Sequence, residues 1–285
     1  MKETLNILIL KSLLTFATII EARDRYTGGH TWRVSHYARE LAIKAGFSQS
    51  EVFLAGLGGL IHDLGKVGIT DSILNKNGSL TPEEYYHIKK HPDIGRMIVR
   101  DHPLAAIVED VIWHHHERMD GKGYPNGFEG DQISPIARVV SIVDAFDAMT
   151  STRAYRQGMA PEAAYQILSA ESGKQFDARF VNIFLEMGQT EQLNHIIGHS
   201  GEGRLMVLCP ACGPVIAISL NAAEGDLIVC PGCTGVHRLH RQGETFVVEW
   251  TGKEDPTMTP QPDPETIEDF VKMAPREIEV PAGMG

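Results

Sequence analysis

The chain has 285 residues, 42% of them hydrophobic, and a formal net charge of −11 from 26 basic and 37 acidic side chains. That length leaves room for one large domain and something small, or for two domains. The acidic balance argues against sequence-independent nucleic-acid binding by the whole molecule, but not against an anionic substrate, because bound divalent cations would dominate the local field.

The first apolar stretch, 5–20, is interrupted by Lys11, and each uncharged run is too short to span a bilayer. No basic segment followed by a small-residue cleavage site precedes it, so neither a signal peptide nor a membrane span is expected. Leu5, Leu8, Ser12, Phe16 and Ile19 follow helical spacing. They predict a buried first helix leading to His30, with a homodimer seam as the lesser alternative. Helical patterning continues to about Leu193, punctuated at Gly78, Pro82, Pro92, 121–125 and Pro161. Thr81, Pro82, Glu83 and Glu84 predict a helix start: a cap, a proline in the first position and acids in the first turn.

Composition changes at 196–203, which reads as a linker. Short β-type runs follow at 205–208, 215–218, 227–229 and 246–250. From 252 the chain turns acidic and proline-rich, with six prolines between Pro256 and Pro281. This composition predicts a disordered tail; Ile267, Phe270 and Val271 offer one apolar face for a short docking helix as the alternative. The expected fold class is therefore mainly α: a helical bundle over 1–195, a small β module over 204–251, and the tail over 252–285.

His62 and Asp63 are adjacent, and His30, Lys66, His91, His115, His116 and Asp144 surround them in sequence. Neighbouring residues on one helix point about 100° apart, so the pair could serve two metals side by side. Imidazoles and carboxylates without thiolates suit iron, manganese or a related transition metal. Two metals about 3.5–4 Å apart can activate a bridging water, so the set reads as a two-metal hydrolase site. Lys66, four residues after His62, would share its helical face.

These residues fall in five ordered blocks: EARDRYTGGHTWRV (21–34), HDLGKVGI (62–69), HPDIG (91–95), HHERMDGKGYP (115–125) and DAFDAMTSTRAYR (144–156). Over roughly residues 20–185 the chain resembles the HD-GYP family of cyclic di-GMP phosphodiesterases. The resemblance implies a helical HD domain with Asp63 bridging two metals. His30, His62 and Asp144 would complete one metal, and His91, His115 and His116 the other. It implies catalytic roles for Asp63 and Lys66, and substrate contacts from Lys66, Gly121, Gly123, Tyr124, Pro125, Arg153 and Arg156. Tyr124 would stack on a base or hydrogen-bond into the site, and Glu117 would orient a ligand histidine. Where some members carry a carboxylate that binds a third metal, this chain has Tyr26, which predicts two metals rather than three. His114, His36, His87 and His102 are expected to be structural or exposed. Met119, Ala154 and the Ser134–Pro135 pair depart from the usual pattern without removing a ligand.

Cys209, Cys212, Cys230 and Cys233 are the only cysteines and form two CxxC turns separated by a β segment. They predict a zinc ribbon whose single structural Zn supplies stability that a core of this size lacks. Disulfides are the alternative, disfavoured in a reducing cytoplasm; His237 and His240 could substitute as ligands. Arg204, Arg238 and Arg241 against Glu224, Asp226, Glu244 and Glu249 make no basic footprint, so a protein contact through the ribbon or tail is expected rather than nucleic acid. The resulting expectation is a cytoplasmic phosphodiesterase that opens cyclic di-GMP to pGpG, and on to GMP as a further step. A cyclic-dinucleotide receptor with little turnover, or hydrolysis of another cyclic dinucleotide, stands as the alternative.

Overall fold

The computed structural model describes residues 2–4, 6–23, 29–76, 78–151, 158–201, 203–212, 215–218, 221–230, 233–243, 245–257, 264–275 and 277–279. Strand β1 (Lys2–Thr4) leads into helices α1 (Ile7–Arg23), α2 (His30–Lys44) and α3 (Gln49–Ile61). Then come α4 (Asp71–Leu74), α5 (Pro82–Ile88), α6 (His91–Val99), α7 (Ala105–His114), α8 (Pro135–Thr150), α9 (Pro161–Ala170) and α10 (Ala178–Gln189). Local chemistry sets several starts. Ser48 with Glu51, and Thr81 with Glu84, form reciprocal capping boxes at α3 and α5, each satisfying backbone N–H groups that would otherwise be orphaned. Ser134–Pro135, unusual in sequence, is a serine cap followed by proline in the first position of α8.

Helices α2, α3, α7 and α8 pack around one core in which Val34, Leu57, Ile112, Val139 and Val143 are fully buried. Each such side chain contributes about 1.5–3 kcal/mol of burial. Tyr37, Phe146 and Phe184 meet edge to face at centroid distances of 5.0–6.1 Å and fix how α2, α8 and α10 sit together.

Helix α1 buries Leu10, Leu13, Leu14, Ala17 and Ile20, while Leu8, Phe16 and Ile19 are 77%, 49% and 44% exposed. The stripe expected to face inward therefore points outward, and Leu5 lies outside the described residues. Both faces of this helix are apolar, so periodicity alone could not select between them. No helix among the described residues is long and apolar enough to cross a membrane.

The β module contains two three-stranded antiparallel sheets. One orders β2 (His199–Gly201), β3 (Arg204–Leu208) and β4 (Val215–Ala217); the other orders β5 (Leu227–Val229), β6 (Gly235–Gln242) and β7 (Thr245–Glu254). Val207, Ile216, Ile218, Leu239 and Phe246 form its small core with the cysteines. Strand β2 lies inside the stretch expected as linker, and β7 runs past the expected end at 251. Strand β6 was not legible: its inward face is Gly235, His237 and Leu239, too polar for a hydropathy signal.

Within the tail, one described segment takes the docking helix that its sequence offered as the alternative. Helix α11 (Pro264–Lys272) docks on the same chain, and β8 (Glu277–Glu279) pairs antiparallel with β1. Ile267 and Phe270 join the helical core, Phe270 stacks near Phe53 at 5.1 Å, and Lys11 binds Glu268 at 2.5 Å. Proline and acid content argue for disorder, but the Ile267–Phe270–Val271 face has apolar surface to cover, and α1 and α3 supply it.

Candidate active site

Helix α3 ends at Ile61, with His62 as its C-cap; Asp63 follows at φ −89°, ψ 7°, and residues Leu64–Gly68 form a 3-10 turn. His62 and Lys66 therefore do not share one helical face, as the sequence suggested. The tighter turn instead brings Lys66 Nζ back to 2.7 Å from Asp63 Oδ2.

Four other elements deliver the remaining predicted ligands. His30 opens α2, His91 opens α6, His115 and His116 directly follow α7, and Asp144 lies in α8. Candidate ligand atoms group as His30, His62, Asp144 and as His91, His115, His116, each group lying within 4.8 Å. Asp63 stands between them: Oδ2 is 3.3 Å from His62 Nε2 and 3.8 Å from His30 Nε2, and Oδ1 is 3.3 Å from His91 Nε2. His114 stays outside, with its Nδ1 2.8 Å from Asp110.

The hydrogen bonds behind the rings test whether this cluster suits metals. Nδ1 of His62 faces Gly59 O at 2.9 Å, that of His91 faces Ile88 O at 2.9 Å, and that of His115 faces Ile112 O at 3.0 Å. A carbonyl only accepts, so each Nδ1 carries the proton and each Nε2 turns a lone pair inward. Nε2 of His91 and His115 consequently face each other at 3.1 Å, and the buried Nε2 of His62 has no hydrogen-bond partner. Inward lone pairs without donors, gathered around a carboxylate, are a donor set made for cations.

For three of these rings the electrostatics agree. Burial, aided by His91, pushes His116 down to about 3. Burial likewise holds His115 well below, and His91 below, the ordinary histidine range. Neutral imidazole is the form that ligates. Burial opposes ionisation of Asp63, but Lys66, His62 and His91 outweigh it and keep the carboxylate well below its usual range. Burial likewise disfavours a charged His62, yet Asp63 raises it.

A cavity of about 610 Å³ opens over this cluster, lined by His30, Asp63, His91, His116 and Asp144. Of the predicted substrate contacts, Lys66, Gly123 and Tyr124 line it, whereas Gly121 and Pro125 support the loop from outside the lining. Arg153, Arg156 and Tyr26 lie outside the described residues. Tyr124 does not present a bare ring: it stacks on His116 at 4.7 Å and 28°, and Lys89 Nζ sits 4.7 Å from its centroid. Glu117 serves the loop rather than a histidine, accepting from the backbone N–H of Asn126 at 2.7 Å and Phe128 at 3.1 Å. Sequence reasoning missed Lys76, Tyr85, Lys89, Arg118 and Lys122 in the lining. The Lys89–Lys90 doublet before His91 was the available signal for Lys89; Lys76 carries none, because only the fold brings it here.

The four cysteines converge between the two sheets as free thiols. Sulfur–sulfur distances of 3.6 Å (Cys209–Cys212), 3.5 Å (Cys212–Cys230) and 3.7 Å (Cys209–Cys233) are far from bonded. They approach the roughly 3.8 Å edge of a tetrahedron built on 2.3 Å Zn–S bonds. His237 Nε2, 3.3 Å from Cys209 Sγ, is placed to donate to that sulfur.

Residues 15–180 match the family model described as HD domain. The 3'3'-cGAMP-specific phosphodiesterase 2 of Vibrio cholerae is 37% identical over 172 residues, covering 60% of this chain and 33% of the relative. The cyclic di-GMP phosphodiesterase response regulator RpfG of Xanthomonas campestris is 37% identical over 186 residues (64% and 49%). The cyclic di-GMP phosphodiesterase PA4108 of Pseudomonas aeruginosa is 38% identical over 168 residues (59% and 40%). The chain thus spans between a third and a half of the length of these relatives. A solved cyclic GMP-AMP specific phosphodiesterase of V. cholerae shares the fold with a TM-score of 0.50 at 16% identity, over 65% of this chain and 50% of that one. With its helical core, its histidine–aspartate cluster and a family match over residues 15–180, the chain belongs to the HD domain family.

Proposed function

We propose that this chain hydrolyses cyclic di-GMP to pGpG, with residues 1–195 as the catalytic domain and 204–251 as a zinc ribbon. The observation that carries this reading is Asp63 between two ligand groups at the floor of a cationic cavity. Two divalent metals, iron or manganese, would be held by His30, His62 and Asp144 on one side and His91, His115 and His116 on the other, with Asp63 shared. When bound they would activate water and neutralise charge on the attacked phosphate. Lys66, already 2.7 Å from Asp63, shares its positive charge with that phosphate. Lys89 and Lys122 at the lining suit the second phosphate of the ring. Arg153 and Arg156 join as phosphate contacts.

One zinc occupies the four thiols, which fit a reducing compartment such as the cytoplasm. The exposed Leu8–Phe16–Ile19 face of α1 suits a second copy of the chain, and the ribbon suits a protein partner. Because relatives of similar identity are named for cyclic di-GMP and for 3'3'-cGAMP, hydrolysis of another cyclic dinucleotide is the second reading.

Anaerobic turnover with Fe(II) or Mn(II), products separated by chromatography and metals counted on the same sample, tests this. pGpG from cyclic di-GMP, lost in Asp63→Ala, is the expected result. Full activity in that variant would overturn the mechanism; cleavage of cGAMP alone would transfer the substrate assignment; tight binding without turnover would make the chain a receptor.

A further inference from the structure

Arg33 follows His30 by one turn of α2 and is 3% exposed. Its Nε donates to Asp147 Oδ1 at 2.5 Å and its Nη2 to Asp147 Oδ2 at 3.0 Å. The same Oδ2 accepts from His30 Nδ1 at 2.8 Å, which turns His30 Nε2 toward Asp144 and Asp63. Asp147 is 1% exposed, and although burial opposes its charge, Arg33 and His30 hold its carboxyl well below the usual range.

The third arm of Arg33 leaves the helical domain. Nη1 donates to the carbonyl of His199 at 2.9 Å and touches Met206 Sδ at 3.3 Å, in β2 and β3 of the cysteine module. The backbones are equally close: a Cβ on Gly29 would meet Ser200 Cα at 2.4 Å. Strand β3 ends at Leu208, immediately before Cys209. A guanidinium is a rigid planar fork, so its orientation is set by all its acceptors at once. If β2 moves, Nη1 loses this acceptor, and the fork is free to turn out of the plane that Asp147 and the carbonyl set together.

We propose that Arg33 is a positioning residue that couples the folded state of the four-cysteine module to the orientation of His30, so that metal occupancy at the thiols governs metal affinity at the histidine–aspartate cluster. This rests on reading His30 and the cysteines as metal ligands.

The test titrates Mn(II) calorimetrically into the full chain, zinc-loaded and freed of other metals. Wild type is compared with Arg33→Lys, Cys212→Ser and the double variant. Arg33→Lys keeps the charge beside Asp147 but loses the fork; each single variant should weaken Mn(II) binding by about 10-fold. The double variant should be no weaker than either single one, because both interrupt the same connection. Losses that multiply in the double variant, or unchanged affinity in Cys212→Ser, would overturn the proposal. Ser200→Val guards against a folding defect in Arg33→Lys: it wedges β2 from Gly29 while leaving the Arg33, Asp147 and His30 side chains unsubstituted. It should give the same loss together with faster hydrogen exchange over 199–201 and 203–208; faster exchange with unchanged Mn(II) binding would also overturn the coupling. Failure of wild type to bind Mn(II) at all would remove the ligand reading itself, a result seen before any variant is compared.

Discussion

The backbone of Gly65 runs so close to the carbonyl of His91 that a Cβ at residue 65 would meet that oxygen at 1.8 Å. The 3-10 turn after His62 and Asp63 can therefore lie flat against the start of α6, which is how Asp63 Oδ1 comes within 3.3 Å of His91 Nε2. Gly65→Ala must push α6 and His91 away. We expect the purified variant to lose metal from the His91 side and to turn over at least about 10-fold more slowly, measured by metal content and initial rate. Normal metal content with normal rates would show that the turn yields without moving His91.

Tyr124 stacks on His116, so its ring, more than its hydroxyl, is expected to matter. Aromatic stacking of this kind is worth about 0.5–1.5 kcal/mol. Tyr124→Phe should retain metal affinity, and Tyr124→Ala should weaken it severalfold, as read by Mn(II) titration. Equal losses in both variants would assign the effect to the hydroxyl instead.

Burial, with the charge of Arg39 nearby, lowers His36 from 6.5 to about 4. The folded pKa lies below the unfolded one, so between these values the unfolded chain binds a proton that the folded chain refuses. Stability is full above pH 6.5 and falls as pH drops toward 4, with His36 contributing on the order of 3 kcal/mol of that loss. Denaturant melts of wild type and His36→Gln across this range should show a shallower slope in the variant. Parallel slopes would mean that His36 titrates normally in the fold.

Phe270 is 2% exposed and stacks near Phe53, anchoring α11 to the helical core. Phe270→Ala should cost about 3 kcal/mol and make 264–275 sensitive to limited proteolysis while the rest of the chain stays resistant. Unchanged protection of that segment would show that Ile267 and the β1–β8 pairing suffice to hold it.

The helical class, the two cysteine turns, the capped start of α5 and the candidate ligand set all follow from local patterns: spacing, caps and residue chemistry recorded within a few positions. Sequence order also suggested which histidines belong together, through the family resemblance. It did not reveal that α1 buries Leu10, Leu13 and Leu14 rather than the Leu8–Phe16 stripe, because two apolar faces on one helix are equivalent until a partner covers one. Nor did it reveal that Lys76 and Lys89 share a cavity, or that Glu117 holds the loop rather than a histidine.

The residue types and spacings by themselves determined that this chain could gather imidazoles, carboxylates and thiolates into two separate sites. Only the tertiary structure decided the relation between those sites, placing the His199 carbonyl on Arg33 and Arg33 on the aspartate behind His30. These residues are separated by |i−j| of 166, 114 and 117 along the chain, and contacts at such range leave no periodic or local trace in the sequence. Packing of β2 against the start of α2 creates them.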